Sequence, residues 1–127
     1  MQEKQLFEYA IVRIVPRVER EEFLNVGVIL YCPGKKFLKA KIALNEQRLC
    51  AFNGEVDLEE LRKNLNSYAD IAAGTTGSGP IARLDMASRF RWLTATRSTV
   101  VQSSKVHSGF CTDPETTINR LFGQMVS

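Results

Sequence analysis

This 127-residue chain holds one histidine, one tryptophan, four prolines and three cysteines, and each scarcity closes a class of function. A single histidine, His107, removes the H-E-x-x-H motif and the multi-histidine metal sites. Cys32, Cys50 and Cys111 are odd in number and show no C-x-x-C spacing, so they read as reduced thiols rather than a disulfide framework. With His107 they reach the four ligands of a structural zinc, but separations of 18, 61 and 4 residues make no pair of ligand pairs. Glu19, Glu21 and Glu22 read as the solvated face of a turn. No metal or cofactor is therefore expected. The chain also lacks a P-loop, a G-x-G-x-x-G turn and the G-x-S-x-G of a nucleophile elbow. No apolar run approaches the roughly 18 residues that cross a bilayer. Arg13 interrupts the apolar stretch near the start and no small-residue cleavage site follows. The expectation is a cytoplasmic protein with no membrane contact.

What remains is an ordinary globular composition, 44% hydrophobic and 24% charged, in a length that suits a single domain over residues 1–127. A net charge of +3 is too mild to imply nucleic acid by itself. The charge is uneven, though: residues 33–48 carry five basic side chains against Glu46, and residues 81–110 five against Asp85. A fold that joined the two would create one basic surface.

The first third reads as antiparallel sheet. "LFEYAIVRIV", "FLNVGVILYC" and "KKFLKAKIAL" are strand-like and stop at turn or charged residues. In the third, alternation points Leu38, Ala40 and Ile42 inward and Lys39 and Lys41 outward. The near-continuous apolar character of the first two predicts cover on both faces. "DLEELRKNLNSYADIAAG" has a helical stripe of Leu58, Leu61, Leu65, Tyr68 and Ala72, with Asp57 as cap and Gly74 at its end. "LDMASRFRWLTA" predicts a shorter helix with Met86, Phe90 and Leu93 buried. "STVVQ" reads as a fourth strand near 99–103, and "DPETTINRLFGQMV" as a last helix capped by Asp113 with Pro114 first. The fold class is α+β: a mostly antiparallel sheet, a three-strand meander plus a later fourth strand, with about three helices packed on it.

Candidate chemistry gathers in "ATRSTVVQSSKVHSGFCTDP", residues 95–114. Arg97, Ser98, Thr99 and Gln102, with His107 in a loop beyond, supply the guanidinium fork and donors that recognise phosphate or carboxylate. The alternative is that the hydroxyls cap turns and Arg97 pairs with a carboxylate. Cys111 follows His107 by four residues, with Asp113 available to orient the imidazole as in a thiol hydrolase, but a spacing of four in a loop fixes no geometry. Arg89, Arg91 and Arg97 interleave with Phe90 and Trp92, a mix that contacts phosphates and stacks bases, although Phe90 fits the buried helix stripe. Asn25 and Gly27 interrupt an apolar strand, which predicts a bulge or a close backbone approach where the 97–107 segment crosses the sheet.

Three phrases carry a resemblance: "EYAIVRIVPRVEREEFLNVGVILYCP" at 8–33, "GPIARLDMASRFRWLTATRSTVVQSS" at 79–104 and "VHSGFCTDPETTINRLF" at 106–122. Over most of its length the chain resembles the bacterial proteins grouped as domain of unknown function 3037. The residues most like that pattern are Arg13, Glu22, Asn25, Gly27, Arg89, Trp92, Arg97, Ser98, Thr99, Gln102, His107, Gly109 and Asp113, while Thr96 stands where the pattern suggests proline. The resemblance implies a small stand-alone bacterial domain, with members beside genes for kinases similar to the HipA toxin, and it supplies no catalytic residues. The resulting expectation is a non-enzymatic binding or regulatory module. It would recognise an anionic ligand or a protein partner through segment 97–107, with Arg13 and Asn25 nearby. Nucleic-acid association through Arg89, Arg91 and Trp92 is the second reading, and a small hydrolase using Cys111 and His107 the third.

Overall fold

The computed structural model describes residues 3–16, 22–52, 57–97 and 99–126, the side chains of 50–52 excepted. Its centre is β1 (Gln5–Ile14), the longest apolar strand, which pairs antiparallel with β2 (Leu24–Cys32); β2 in turn pairs with β3 (Phe37–Ile42). The far side of β1 is shared. β4 (Val101–Ser103) lies along Val12–Ile14 and β5 (His107–Cys111) along Gln5–Tyr9, giving the order β3-β2-β1-β4 with β5 in line with β4. The meander and the returning fourth strand are as expected from the pattern. β5 is not: the sequence reading puts His107, Ser108 and Gly109 in a loop, and "HSGFC" contains no β-branched residue. Backbone pairing to β1 makes it a strand. Gly109 suits that place because a Cβ there would lie 2.9 Å from the Phe7 ring.

Both faces are covered, as two near-continuous apolar strands require. On one face α2 (Leu58–Ala73) and α3 (Met86–Leu93) bury Leu61, Leu65, Tyr68, Ile71, Phe90 and Leu93 against Val12, Ile14, Val26 and Ile29. The other face receives α4 (Pro114–Met125), whose Ile118 and Leu121 pack on Phe7, Ile11, Val28 and Leu30. Each such buried Leu, Ile or Phe contributes roughly 1.5–3 kcal/mol. Caps set the helix ends: Asp57, Asp85 and Asp113 each accept a backbone N–H of the first turn, and Gly74 closes α2 at φ 68°. A fourth helix, α1 (Glu46–Phe52), escapes sequence reading because its seven residues give no apolar period. Its described core contribution is Leu49, and an Arg62–Glu46 ion pair ties it to α2.

The layer above β3 also engages its lysines. Lys39 and Lys41 lie on the face opposite Leu38, Ala40 and Ile42, as the alternation predicts; Lys39 is exposed and Lys41 half-buried, and both reach α4. Lys39 donates to Glu115 at 2.7 Å, and Lys41 to Asn119 at 2.6 Å while standing 5.0 Å above the Phe122 ring. Lys39 and Lys41 belong to β3, at the opposite edge of the sheet from β4 and β5, so they and the basic residues 97–105 do not merge.

The predicted bulge is present. Val12 pairs with Gly27 and the next residue, Arg13, with Asn25, leaving Val26 as the extra residue of β2. Leu24 and Val26 therefore face the α2–α3 core, while Val28, Leu30 and Cys32 face α4. Gly27 is required by close approach: a Cβ would meet Ile42 Cγ1 and the Lys41 carbonyl oxygen, both at 2.8 Å. The approaching chain is β3 rather than the 97–107 segment, which pairs on the other side of β1.

Candidate functional site

Alternation along β1 turns Arg13 away from Val12 and Ile14, onto the face that carries α4. Its cross-strand partners are Asn25 on β2 and Gln102 on β4, so the three side chains form one row across the sheet. Three of the predicted ligand residues thus share a face. The Arg13 guanidinium sits 4.2 Å over the Phe23 ring, and Asn25 donates through Nδ2 to the Met125 carbonyl at 3.1 Å, fastening the end of α4. Gln102 is committed locally, donating to the Thr99 carbonyl at 2.8 Å. Two atoms of the row, Arg13 Nε and Asn25 Oδ1, are buried with no hydrogen-bond partner. An unmet buried polar atom costs about 1–3 kcal/mol.

Beside Asn25 opens a cleft of about 460 Å³ between the start of β2, the β3–α1 connection and the end of α4. Leu24, Val26, Leu44, Phe122 and Val126 supply apolar walls; Asn25, Asn45 and Arg48 supply the polar groups. Asn45 accepts the Arg48 backbone N–H at 3.0 Å, which orders the first turn of α1. The arrangement suits a molecule with an apolar body and an anionic group. Sequence reading counted Arg48 in a basic segment but not in a site. The asparagine three residues before it was the available signal for a helix start.

Apart from Gln102, the 97–107 segment does not converge on that row. Arg97 lies on the α2–α3 face, donating to the Tyr68 hydroxyl at 2.7 Å, to the Leu93 carbonyl at 3.4 Å and to the Trp92 carbonyl. Its guanidinium also stacks 4.3 Å over the Trp92 ring. Burial raises the Tyr68 phenol above its ordinary value despite the adjacent cation. Thr99 bonds the Val101 carbonyl at 2.8 Å, and Ser98 lies outside the described residues. The Ser104 hydroxyl accepts the Ile11 N–H at 2.8 Å, standing in for a ladder carbonyl where β4 passes into β5. His107 is exposed on β5, tilted against Tyr9 with ring centroids 5.3 Å apart. The hydroxyls of Thr99, Ser103 and Ser104 bond backbone groups, as in the alternative reading.

The other two readings lose their geometric basis. His107 and Cys111 lie four residues apart on one extended strand, about 13 Å at the usual rise. Cys111 is buried, and burial together with the neighbouring Cys32 pushes its thiol up, away from the reactive thiolate. Arg89 is buried, with its guanidinium where a Gly74 Cβ would be, and Trp92 is half-buried beneath Arg97. Arg91 is exposed, bonding the Ser88 hydroxyl at 3.2 Å. No stacking platform results from these three. Glu19 and Glu21 lie outside the described residues, and among those described no three metal-ligating side chains gather. No described helix is long and apolar enough to cross a membrane.

Neither a search of curated proteins nor one of solved structures finds a match. One family profile, described as "Protein of unknown function (DUF3037)", matches residues 9–126, nearly the whole chain. On that match the chain belongs to the DUF3037 family.

Proposed function

We propose that this protein is a binding module whose site is the cleft between β2, α1 and α4, and that it takes a ligand bearing an anionic group on an apolar body. The observation that carries this is an apolar-walled cleft that gathers a cation and two amides at one side: Arg48, Asn45 and Asn25 line it together with Leu24, Leu44, Phe122 and Val126. Arg48 would meet the anionic group, since a guanidinium binds carboxylate or phosphate through two parallel bonds. Phe122 and Val126 would cover the apolar part. A free small molecule and an acidic, apolar segment of a regulated partner such as a kinase present the same chemistry.

The test is an amide-resolved NMR titration with octanoate, against octanol and inorganic phosphate as controls. Octanoate is expected to shift the Asn25, Arg48 and Phe122 signals, and Arg48→Gln to weaken binding about tenfold or more, the worth of one charge-assisted pair. Shifts absent from these residues with all three probes would remove the proposal. A steeply salt-dependent affinity for DNA or RNA, unaffected by Arg48→Gln, would favour nucleic acid instead.

A further inference from the structure

Next to the cleft lies a second, smaller hollow of about 230 Å³, between β3 and α2. Arg62, Leu65, Asn66 and Ala69 line it from α2, at the spacing that sets them on one stripe of the helix, and Ala40 and Ile42 line it from β3. Leu44, in the connection from β3 to α1, borders this hollow and the cleft alike; among the described residues no other lines both. We infer that Leu44 sets the length of apolar tail that the protein accepts, as the partition between the cleft and the space into which a longer tail would run. This rests on the cleft being the ligand site and adds to it a class of ligand, an unbranched hydrocarbon chain ending in an anionic group.

The two hollows differ in charge, and the difference orients the chain. In the cleft, the Arg48 guanidinium has no acceptor among the described residues. In the second hollow, Arg62 is neutralised by its ion pair with Glu46. An anionic group therefore finds its partner in the cleft. The apolar walls of the second hollow, Ala40, Ile42, Leu65 and Ala69, suit hydrocarbon instead. The size fits as well. An apolar cavity of about 150 Å³ already holds a benzene-sized guest, so the second hollow has room for several methylenes. Leu44 itself is half-buried and packed against the α2–α3 core, so the partition is part of the fold. Shortening its side chain removes apolar wall that the two hollows share.

The test compares octanoate, decanoate and dodecanoate, each below its micelle concentration, in amide-resolved NMR titrations of the full chain and of Leu44→Ala. A methylene that finds an apolar wall is worth about fourfold in affinity, and one left in water adds nothing. In the natural chain, lengthening octanoate to dodecanoate is expected to gain less than about fourfold; in Leu44→Ala the same step should gain about tenfold or more. Dodecanoate should also shift the Asn66 and Ala69 amides in Leu44→Ala and leave them unmoved in the natural chain. Leu44→Val makes the same opening on a smaller scale, and carries the comparison if Leu44→Ala does not fold. Octanoate binding at Asn25 and Arg48 with a chain-length preference that neither variant changes would overturn this inference and leave the cleft standing. Shifts absent from Asn25 and Arg48 at every chain length would remove both.

Discussion

Arg97 and Arg13 are both half-buried beside β1, yet on opposite faces they meet opposite circumstances. Arg97 finds two carbonyls, a phenol and two aromatic rings, all supplied by α2 and by α3 and its immediate end. Arg13 has one ring beneath it, and its Nε stays without a partner next to an equally unpartnered Asn25 Oδ1. A guanidinium whose acceptors belong to the fold is a clamp, because its bonds stabilise the native chain alone. One left incompletely bonded in a buried row carries a standing cost instead. Polar residues near a strand therefore say little until their partners are known.

The largest effect that separates the two should come from Arg97→Ala. It strips the Trp92 and Leu93 carbonyls and Tyr68 of a charged donor and is expected to destabilise by about 2–4 kcal/mol in urea titration. An unchanged midpoint would show that Arg97 is no clamp. Gly27→Ala should follow at about 1–3 kcal/mol, since its Cβ must push the Lys41 carbonyl of β3 aside. Arg13→Met should change stability by less than about 1 kcal/mol, because the lost contact with Phe23 is offset by removal of an unpartnered buried nitrogen. A large loss there would make Arg13 a second clamp and erase the contrast.

The smallest effect concerns pH. Bonds from Thr116 and the first turn of α4 hold the Asp113 carboxyl below its ordinary 3.8, and Ser88 does the same for Asp85 at α3. Groups depressed on folding stabilise at neutral pH, and that stability is lost as pH falls through 3.8 and below. Urea midpoints taken at neutral pH and in this acid window should fall together, and less so in Asp113→Asn, which keeps a capping oxygen but cannot titrate there.

Elements with their own local chemistry were legible in the chain. β1 through β3 announce themselves by β-branched runs ending at turns; α2 and α4 announce themselves by apolar stripes between an aspartate cap and, for α2, a closing glycine. α1 and β5 were not legible, since seven residues with one described core leucine have no period and "HSGFC" has no β-branched residue and a glycine at its centre. The candidate site was legible in part. Arg13, Asn25 and Gln102 came forward together, but Arg48 did not, because nothing local links the β3–α1 connection to the start of β2.

By itself, then, the order of residues determined an α+β chain with a two-faced sheet, an interruption at Asn25–Gly27 and the ends of most helices, because periodicity, capping and close packing act over a few neighbours. Only the tertiary structure decided that Arg97 binds carbonyls of its own fold while Asn25 lines a cleft, and that β5 pairs with β1. Alternation assigns each side chain a face; which helix covers that face, and which edge stays open, depends on contacts between segments up to a hundred residues apart.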